Sequence, residues 1–225
     1  MKRVFLKILP FVLTSLLVVV FWKIWTRADN YAWNPQGKEL FFLDIALTSI
    51  FFYKTMFWLV VTNLTVLTVI QLKRKKYKIA GITLLLTIVF YIFAGQYINR
   101  KCAPFYYRVF LNQSVMEEYI SRPIEEAGYY IGPILTDEIA NKEMKYRRYA
   151  IGGLEKIKYK PATETLKRIL LDKTENDIFR ADAYETLHGF DTKETRKILN
   201  DFRSQVTDTL DKKVIELGEY FIKNK

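Results

Sequence analysis

The sequence predicts an all-α chain: three membrane-spanning helices, then a short α-solenoid of stacked helix pairs. Three observations carry this. The run Lys73-Arg74-Lys75-Lys76-Tyr77-Lys78 places five positive charges in six residues between two apolar runs. Beyond Phe110 the pattern changes to amphipathic helices of about 10 to 15 residues, with no alternation long enough for a strand. Finally, the C-terminal half matches itself when displaced by 33 residues. That is the signature of a repeat whose units bury their apolar faces only by stacking.

Composition narrows the function classes. The chain has 225 residues and a net charge of +11. Residues 1–99 hold 12 Lys/Arg against Asp29, Glu39 and Asp44, a balance of +9, whereas residues 100–225 balance to +2. The basicity therefore belongs to the membrane half, where Lys and Arg set orientation. The C-terminal half lacks the dense basic stripe of a phosphate-backbone binder, so no nucleic-acid partner is expected. A single cysteine, Cys102, excludes an intrachain disulfide, and with the lone His188 it cannot form a His/Cys metal site. No cofactor is expected.

The first span runs from about Val4 to Trp25, with Lys7 and Pro10 inside it. It ends in bulky residues rather than a small-x-small cleavage site, which favours an uncleaved helix over a signal peptide. Trp22, Trp25, Tyr31 and Trp33 read as an aromatic belt at the far interface. Asn34-Pro35 and Gly37 mark a turn. The stretch from Leu40 to Leu72 would be roughly 50 Å as one helix, well beyond a hydrocarbon core of about 30 Å. Either it is strongly tilted, or residues 40–54 lie along the interface and only 55–72 cross. The third span covers about 79–98. This gives a membrane domain of residues 1–101 and an extracytoplasmic helical domain of residues 102–225.

Orientation follows from Lys73, Arg74, Lys75, Lys76 and Lys78, joined by Lys2, Arg3 and Lys7, which outweigh Arg100 and Lys101 on the other side. The N-terminus is expected inside the cytoplasmic membrane and the C-terminal domain outside. In a bacterium, outside is the periplasm or the cell exterior. Within the spans, Asp44, Lys54 and Asn63 stand out because intramembrane polar groups are functional hints. Asp44 and Lys54 are about 15 Å apart along a helix and cannot pair within it. They read either as snorkelling interfacial charges or, for Asp44, as a group facing a partner helix or a water-filled path. Thr62, Asn63, Thr65, Thr68 and Gln71, with Thr83 and Thr87, can hydrogen-bond across helices. They serve either packing among the three spans or a larger membrane complex.

In the C-terminal half, Ser114 and Glu117 form a capping-box pattern for a helix through Tyr119. Displacement by 33 residues then sets Arg147 on Arg180, Ala150 on Ala183 and Leu154 on Leu187. Ile157 falls on Phe190, Leu166 on Leu199 and Ile169 on Phe202. Breaks at Lys158 to Pro161 and at Asp191-Thr192 divide each unit into two helices. Gly152-Gly153 lowers helix propensity, which suggests close packing or a kink. Ser204 to Lys225 reads as a terminal helix with Leu210, Val214, Leu217 and Phe221 on one face.

The run Leu170-Leu171-Asp172-Lys173-Thr174-Glu175-Asn176-Asp177-Ile178-Phe179-Arg180, followed by Ala183 and Leu187, resembles the HEAT-like repeat of the phycobilisome-lyase type. Arg147, Ala150 and Leu154 look like the same helix one repeat earlier. The resemblance covers about residues 133–204. Ile134-Leu135 and Asp137 echo an earlier, degenerate copy. It implies structural roles for Asp172, steadying a turn, and for Arg180, steadying the stacking between repeats. It does not bring chemistry with it. Metal-binding hydroxylases built from such pairs use His-Glu dipeptides, and this sequence has none.

No phosphate loop, Ser-His-Asp set or His-Glu-x-x-His occurs either, so an enzyme is not expected. The leading expectation is a membrane-anchored interaction or scaffolding subunit whose partners are other protein subunits and the bilayer. In such arrays the second helices line the concave face, which would turn Glu164, Lys167, Lys197 and Asn200 outward as contact residues. The rival expectation is an accessory or conducting subunit of a transport complex, built on Asp44 and the Thr-rich spans.

Overall fold

The computed structural model describes residues 2–206 and 208–224, with side chains from Lys7 onward. The side chains of Lys2 and Arg3, which carry part of the orientation argument, lie outside the described residues. Among the described residues the regular structure is helical, and the only extended pairing is an isolated bridge between Ala32 and Ser114. The helices are α1 (Lys2–Trp25), α2 (Gly37–Lys73), α3 (Tyr77–Asn112), α4 (Arg122–Ala127), α5 (Gly132–Glu138), α6 (Arg147–Lys156), α7 (Thr163–Leu171), α8 (Asp177–Phe190), α9 (Lys193–Ser204) and α10 (Thr209–Lys223). The chain divides into two compact units, Met1–Val115 and Met116–Lys225.

Among the described residues, three helices are long and apolar enough to cross a membrane: α1 from Lys7, α2 and α3. They pack antiparallel, α1 on α2 and α2 on α3. The register is fixed by Asn63 Nδ2 donating to Ser15 Oγ at 3.1 Å and by Thr83 Oγ1 donating to Gln71 Oε1 at 2.9 Å. The basic turn joining α2 to α3 is made by Arg74, Lys75 and Lys76, with Lys75 left-handed at φ 58°. Other threonines of these helices turn back to their own backbone, though the buried Thr55 hydroxyl does not. Thr62, Thr65, Thr68 and Thr87 each donate to the carbonyl four residues earlier.

Residues 40–54 and 55–72 form one unbroken helix, the single-helix alternative of the two, and α3 continues beyond the expected span at 79–98 through Pro104 to Asn112. Each helix is therefore about 55 Å long. The reason lies in side-chain spacing. Leu43, Ala46, Leu47 and Ile50 on α2 and Cys102, Ala103, Tyr106, Val109 and Phe110 on α3 are all buried, at helical spacing on both helices. A helix that still has an apolar stripe to bury does not end with its most apolar stretch.

This extension moves the unit boundary from the expected 101/102 to Val115–Met116. It also sequesters Cys102 completely. Tyr31, read as an interfacial aromatic, belongs to this core at 1% exposure, while Trp33 stands out at 86%. Ser114 is not a helix cap. Its N–H donates to the Tyr31 carbonyl and its carbonyl accepts from Trp33, and Glu117–Tyr119 is a single 3-10 turn without a side-chain cap.

In the C-terminal unit α8 is central. It packs against α6 and α10 along its sides and is covered by α7 and α9, while α6 also contacts α4 and α5. Side-chain caps start the later helices: Asn176 accepts from Ile178 N, Thr192 and Thr195 form a capping box, and Asp208 accepts from Asp211 N. Such a cap contributes about 1 kcal/mol. Gly153 resolves the diglycine question in favour of close packing. A Cβ there would lie 2.7 Å from Ile124 Cδ1, whereas Gly152 has open space. In α10 the buried positions are Asp211, Val214 and Gly218, and Leu210, expected inside, is 50% exposed. Gly218 sets that rotation, because a Cβ there would meet the Tyr184 ring at 2.5 Å.

Candidate interaction face

The repeat residues meet at two equivalent points. Ala150, Leu154, Ala183 and Leu187 are fully buried. Beside them, Arg147 donates through Nε to the Ile139 carbonyl at 2.7 Å and through Nη2 to Glu175 Oε2 at 2.8 Å, with its guanidinium over the Phe179 ring. Arg180 repeats the arrangement: Nε to the Leu170 carbonyl at 2.9 Å, Nη2 to Asp211 Oδ1, and the guanidinium near the Phe202 ring. Each arginine therefore ties the carbonyl end of one helix to a carboxylate at the start of a later one. The planar, fixed donors of arginine suit this bridging task. Burial pushes the Glu175 carboxyl up, but the Arg147 guanidinium and the Asn176 N–H together hold it below its ordinary range.

Asp172 works in the turn before α8. Its Oδ1 accepts from both the N–H and the hydroxyl of Thr174, and its Oδ2 takes Lys142 at 2.9 Å. The Thr174 hydroxyl, followed by Lys142 and the Thr174 N–H, holds the carboxyl well below the usual range. Further pairs cross between helices on the outside: Lys173 with Asp208, and Lys213 with Asp177. Glu175 and Asp211, the acceptors of the two buried arginines, escape the self-comparison. They are 36 residues apart rather than 33 and differ in type.

The four expected contact residues fall into two places. Lys167 on α7 and Lys197 on α9 line one open groove of about 340 Å³, with Leu171, Ile198, Asp201 and Gln205 among its other walls. Glu164 stands beside it, 3.7 Å from Lys167. Asn200 faces away, into a separate depression of about 290 Å³ with His188, Asp191 and Arg203. The groove mixes Lys167 and Lys197 with Glu194 and Asp201 around exposed Leu171. The outward side of these polar residues was expected from the place of second helices in a solenoid. The apolar floor of Leu171 and Ile198 was not singled out, since an apolar residue on a helix has the same local pattern whether it meets the core or a groove.

The polar residues of the long helices are separated as well. Lys54 Nζ donates to Asn99 Oδ1 at 2.6 Å, and Asn63 bonds Ser15, so both are used between helices. Asp44 is exposed on the flank of α2 away from buried Leu43 and Leu47. Lys73, Arg74, Lys75, Lys76 and Lys78 are all exposed around the turn. Among the described residues no cluster of three His, Cys, Asp or Glu side chains could hold a metal ion. Compared with family models, curated proteins and solved structures, the chain shows no match in any of the three.

Proposed function

We propose that this chain is a membrane-anchored interaction subunit. Helices α1 to α3 anchor it, and the C-terminal unit is a short HEAT-like solenoid that offers the α7–α9 groove to a protein partner. The observation that carries this reading is the meeting of Lys167 on α7 and Lys197 on α9 with exposed Leu171 in one open groove. An apolar floor with charged walls of both signs suits a protein surface, since apolar contact supplies affinity and the charges select the partner. The two buried arginine bridges support it: Arg180 ties α8 to the end of α7 and the start of α10, and Arg147 ties α6 to the end of α5 and to the turn before α8, so the α7 wall stands on a fixed scaffold. In this reading the anchor is the cytoplasmic membrane. The basic turn and the N-terminus lie inside and the C-terminal unit outside, in accord with the charge of the turn.

The test is charge reversal. With K167E and K197E combined, a partner that co-purifies with the full-length protein from detergent-solubilised membranes should be recovered at least ten-fold less, with an unchanged helical spectrum. Undiminished recovery would remove the groove as the contact. Transport through Asp44 gains no support from its position, since it sits on an exposed flank of α2 apart from the packed stripe.

A further inference from the structure

The backbone of the turn between α2 and α3 is closed on itself. The N–H groups of Arg74, Lys75 and Lys76 donate to the carbonyls of Ile70, Leu72 and Gln71 at 3.1, 2.9 and 3.0 Å. The Gln71 side chain is held in turn by Thr83 across the two helices. On this fixed turn Lys73, Arg74, Lys75, Lys76 and Lys78 all stand exposed. Lys75 occupies the left-handed region at φ 58°, a helix-ending position that glycine fills at lower cost. A lysine held there under strain is the kind of outlier from which a role for the side chain is inferred.

Lys7 joins the group. Ser15 meets Asn63 across the antiparallel α1 and α2, so Lys7, eight residues before Ser15, comes level with Gln71, eight residues after Asn63. No carboxylate of this unit stands near these cations. Its three acids, Asp29, Glu39 and Asp44, belong to the other end, and Asp44 is 29 residues, about 44 Å along α2, from Lys73. The border of the patch is apolar, since Leu72, Tyr77 and Ile79 are half exposed or more beside the cations.

We propose that the basic turn, with Lys7, binds headgroups of anionic phospholipid in the leaflet on its own side of the membrane. The phosphates sit on the ammonium and guanidinium groups, and the upper acyl chains lie along Leu72, Tyr77 and Ile79. A free phosphate would use the cations alone, and an acidic protein segment would leave the apolar border uncovered; a phospholipid meets both. Charge-assisted bonds to phosphate are the strong ones, and clustered Lys and Arg beside a spanning helix attract anionic lipid. The role goes beyond orienting the helices, because it selects a lipid and persists in the purified protein. It rests on the membrane reading given above.

The experiment is native mass spectrometry of the full-length protein in detergent, titrated with phosphatidylglycerol and, in parallel, with phosphatidylcholine. Inorganic phosphate and a decaglutamate peptide serve as competitors. The wild type should prefer phosphatidylglycerol, and K75Q/K76Q should weaken its binding about ten-fold. Lys75→Gly combined with Lys76→Gln removes the same two charges and relieves the left-handed strain, so it decides the matter if K75Q/K76Q does not fold. R100Q/K101Q, which removes two exposed charges about 33 Å along α3 from Lys78, should bind as the wild type does.

Unchanged phosphatidylglycerol binding in both turn variants would overturn the proposal. An equal loss in R100Q/K101Q would overturn it too, in favour of a general attraction by net charge. Displacement of the lipid by inorganic phosphate or by decaglutamate at matched concentration would replace it with a free phosphate or an acidic protein. Carbonate extraction of the wild-type protein from phosphatidylcholine vesicles separates the two readings. A protein that resists extraction but shows no turn-dependent lipid sinks only the turn site, and one that is extracted sinks the membrane reading together with it.

Discussion

The two units are both helical, yet they use polar groups in opposite ways. In the N-terminal unit the outside is apolar, with Leu17, Phe52 and Leu85 more than half exposed, and the few inward polar groups meet across helices as neutral pairs such as Ser15–Asn63 and Gln71–Thr83. In the C-terminal unit the outside is charged, and the inside holds two full ion pairs, Arg147–Glu175 and Arg180–Asp211. The contrast is the one that the proposed membrane anchor, with lipid around one unit and water around the other, would produce. Where lipid replaces water, apolar burial gives no drive for helices to associate, and small polar contacts with close packing must do so. Where water surrounds the unit, apolar burial drives association, and buried charge is retained as a geometric tie between helices.

The largest effect should come from breaking one such tie. Arg180→Ala leaves Asp211 and the Leu170 carbonyl buried without their donor. Removing one partner of a buried pair costs about 3–5 kcal/mol. Hydrogen exchange of α8 and α10 in the full-length protein should accelerate at least a hundred-fold, while α1 to α3 keep their protection. Equal loosening of both units would contradict the separation between them.

A middle-sized effect tests a charge that the C-terminal unit carries at a loss. Asp182 is 4% exposed, and its Oδ2 has no partner, although Oδ1 meets Arg148 at 3.1 Å. Burial, outweighing Arg148, pushes its carboxyl up to about 6. The folded state thus binds the proton more tightly than the unfolded one. The penalty is absent below about pH 4, grows between about 4 and 6, and is complete above that. Asp182→Asn should therefore stabilise the unit by about 2 kcal/mol at pH 7, and the gain should vanish as the pH falls toward 4. Thermal unfolding of variant and wild type at both pH values decides it; a gain that does not depend on pH would refute burial as the cause.

The smallest effect lies in the other unit. Asn63→Leu removes the bond to Ser15, and such a bond between spanning helices contributes about 0.6 kcal/mol. Thermal unfolding in detergent should shift by no more than a few degrees. A collapse of the α1–α2 packing would mean that polar contacts carry far more of this unit than the comparison allows.

Local chemistry made much of the molecule legible. The long apolar runs, the basic turn, the break at Asp191-Thr192 and the 33-residue recurrence of Arg147 in Arg180 all depend on neighbours within a few turns, or on a repeated environment. Their reading needs only helical spacing and transfer preferences. The groove was half legible. The outward sides of Lys167 and Lys197 were expected from the place of second helices in a solenoid, but their meeting with exposed Leu171 depends on how α7 is set beside α9.

The sequence by itself determined an all-helical chain, the three long apolar helices and the period of its second half. Only the tertiary structure decided that α2 and α3 run on together to Gly37 and Asn112, that Tyr31 and Cys102 are core, and that Glu175 and Asp211 receive the two arginines. The physical reason is common to all three. Each is a choice among partners far apart in the chain, and pairing across that distance leaves no periodic trace in the residues themselves.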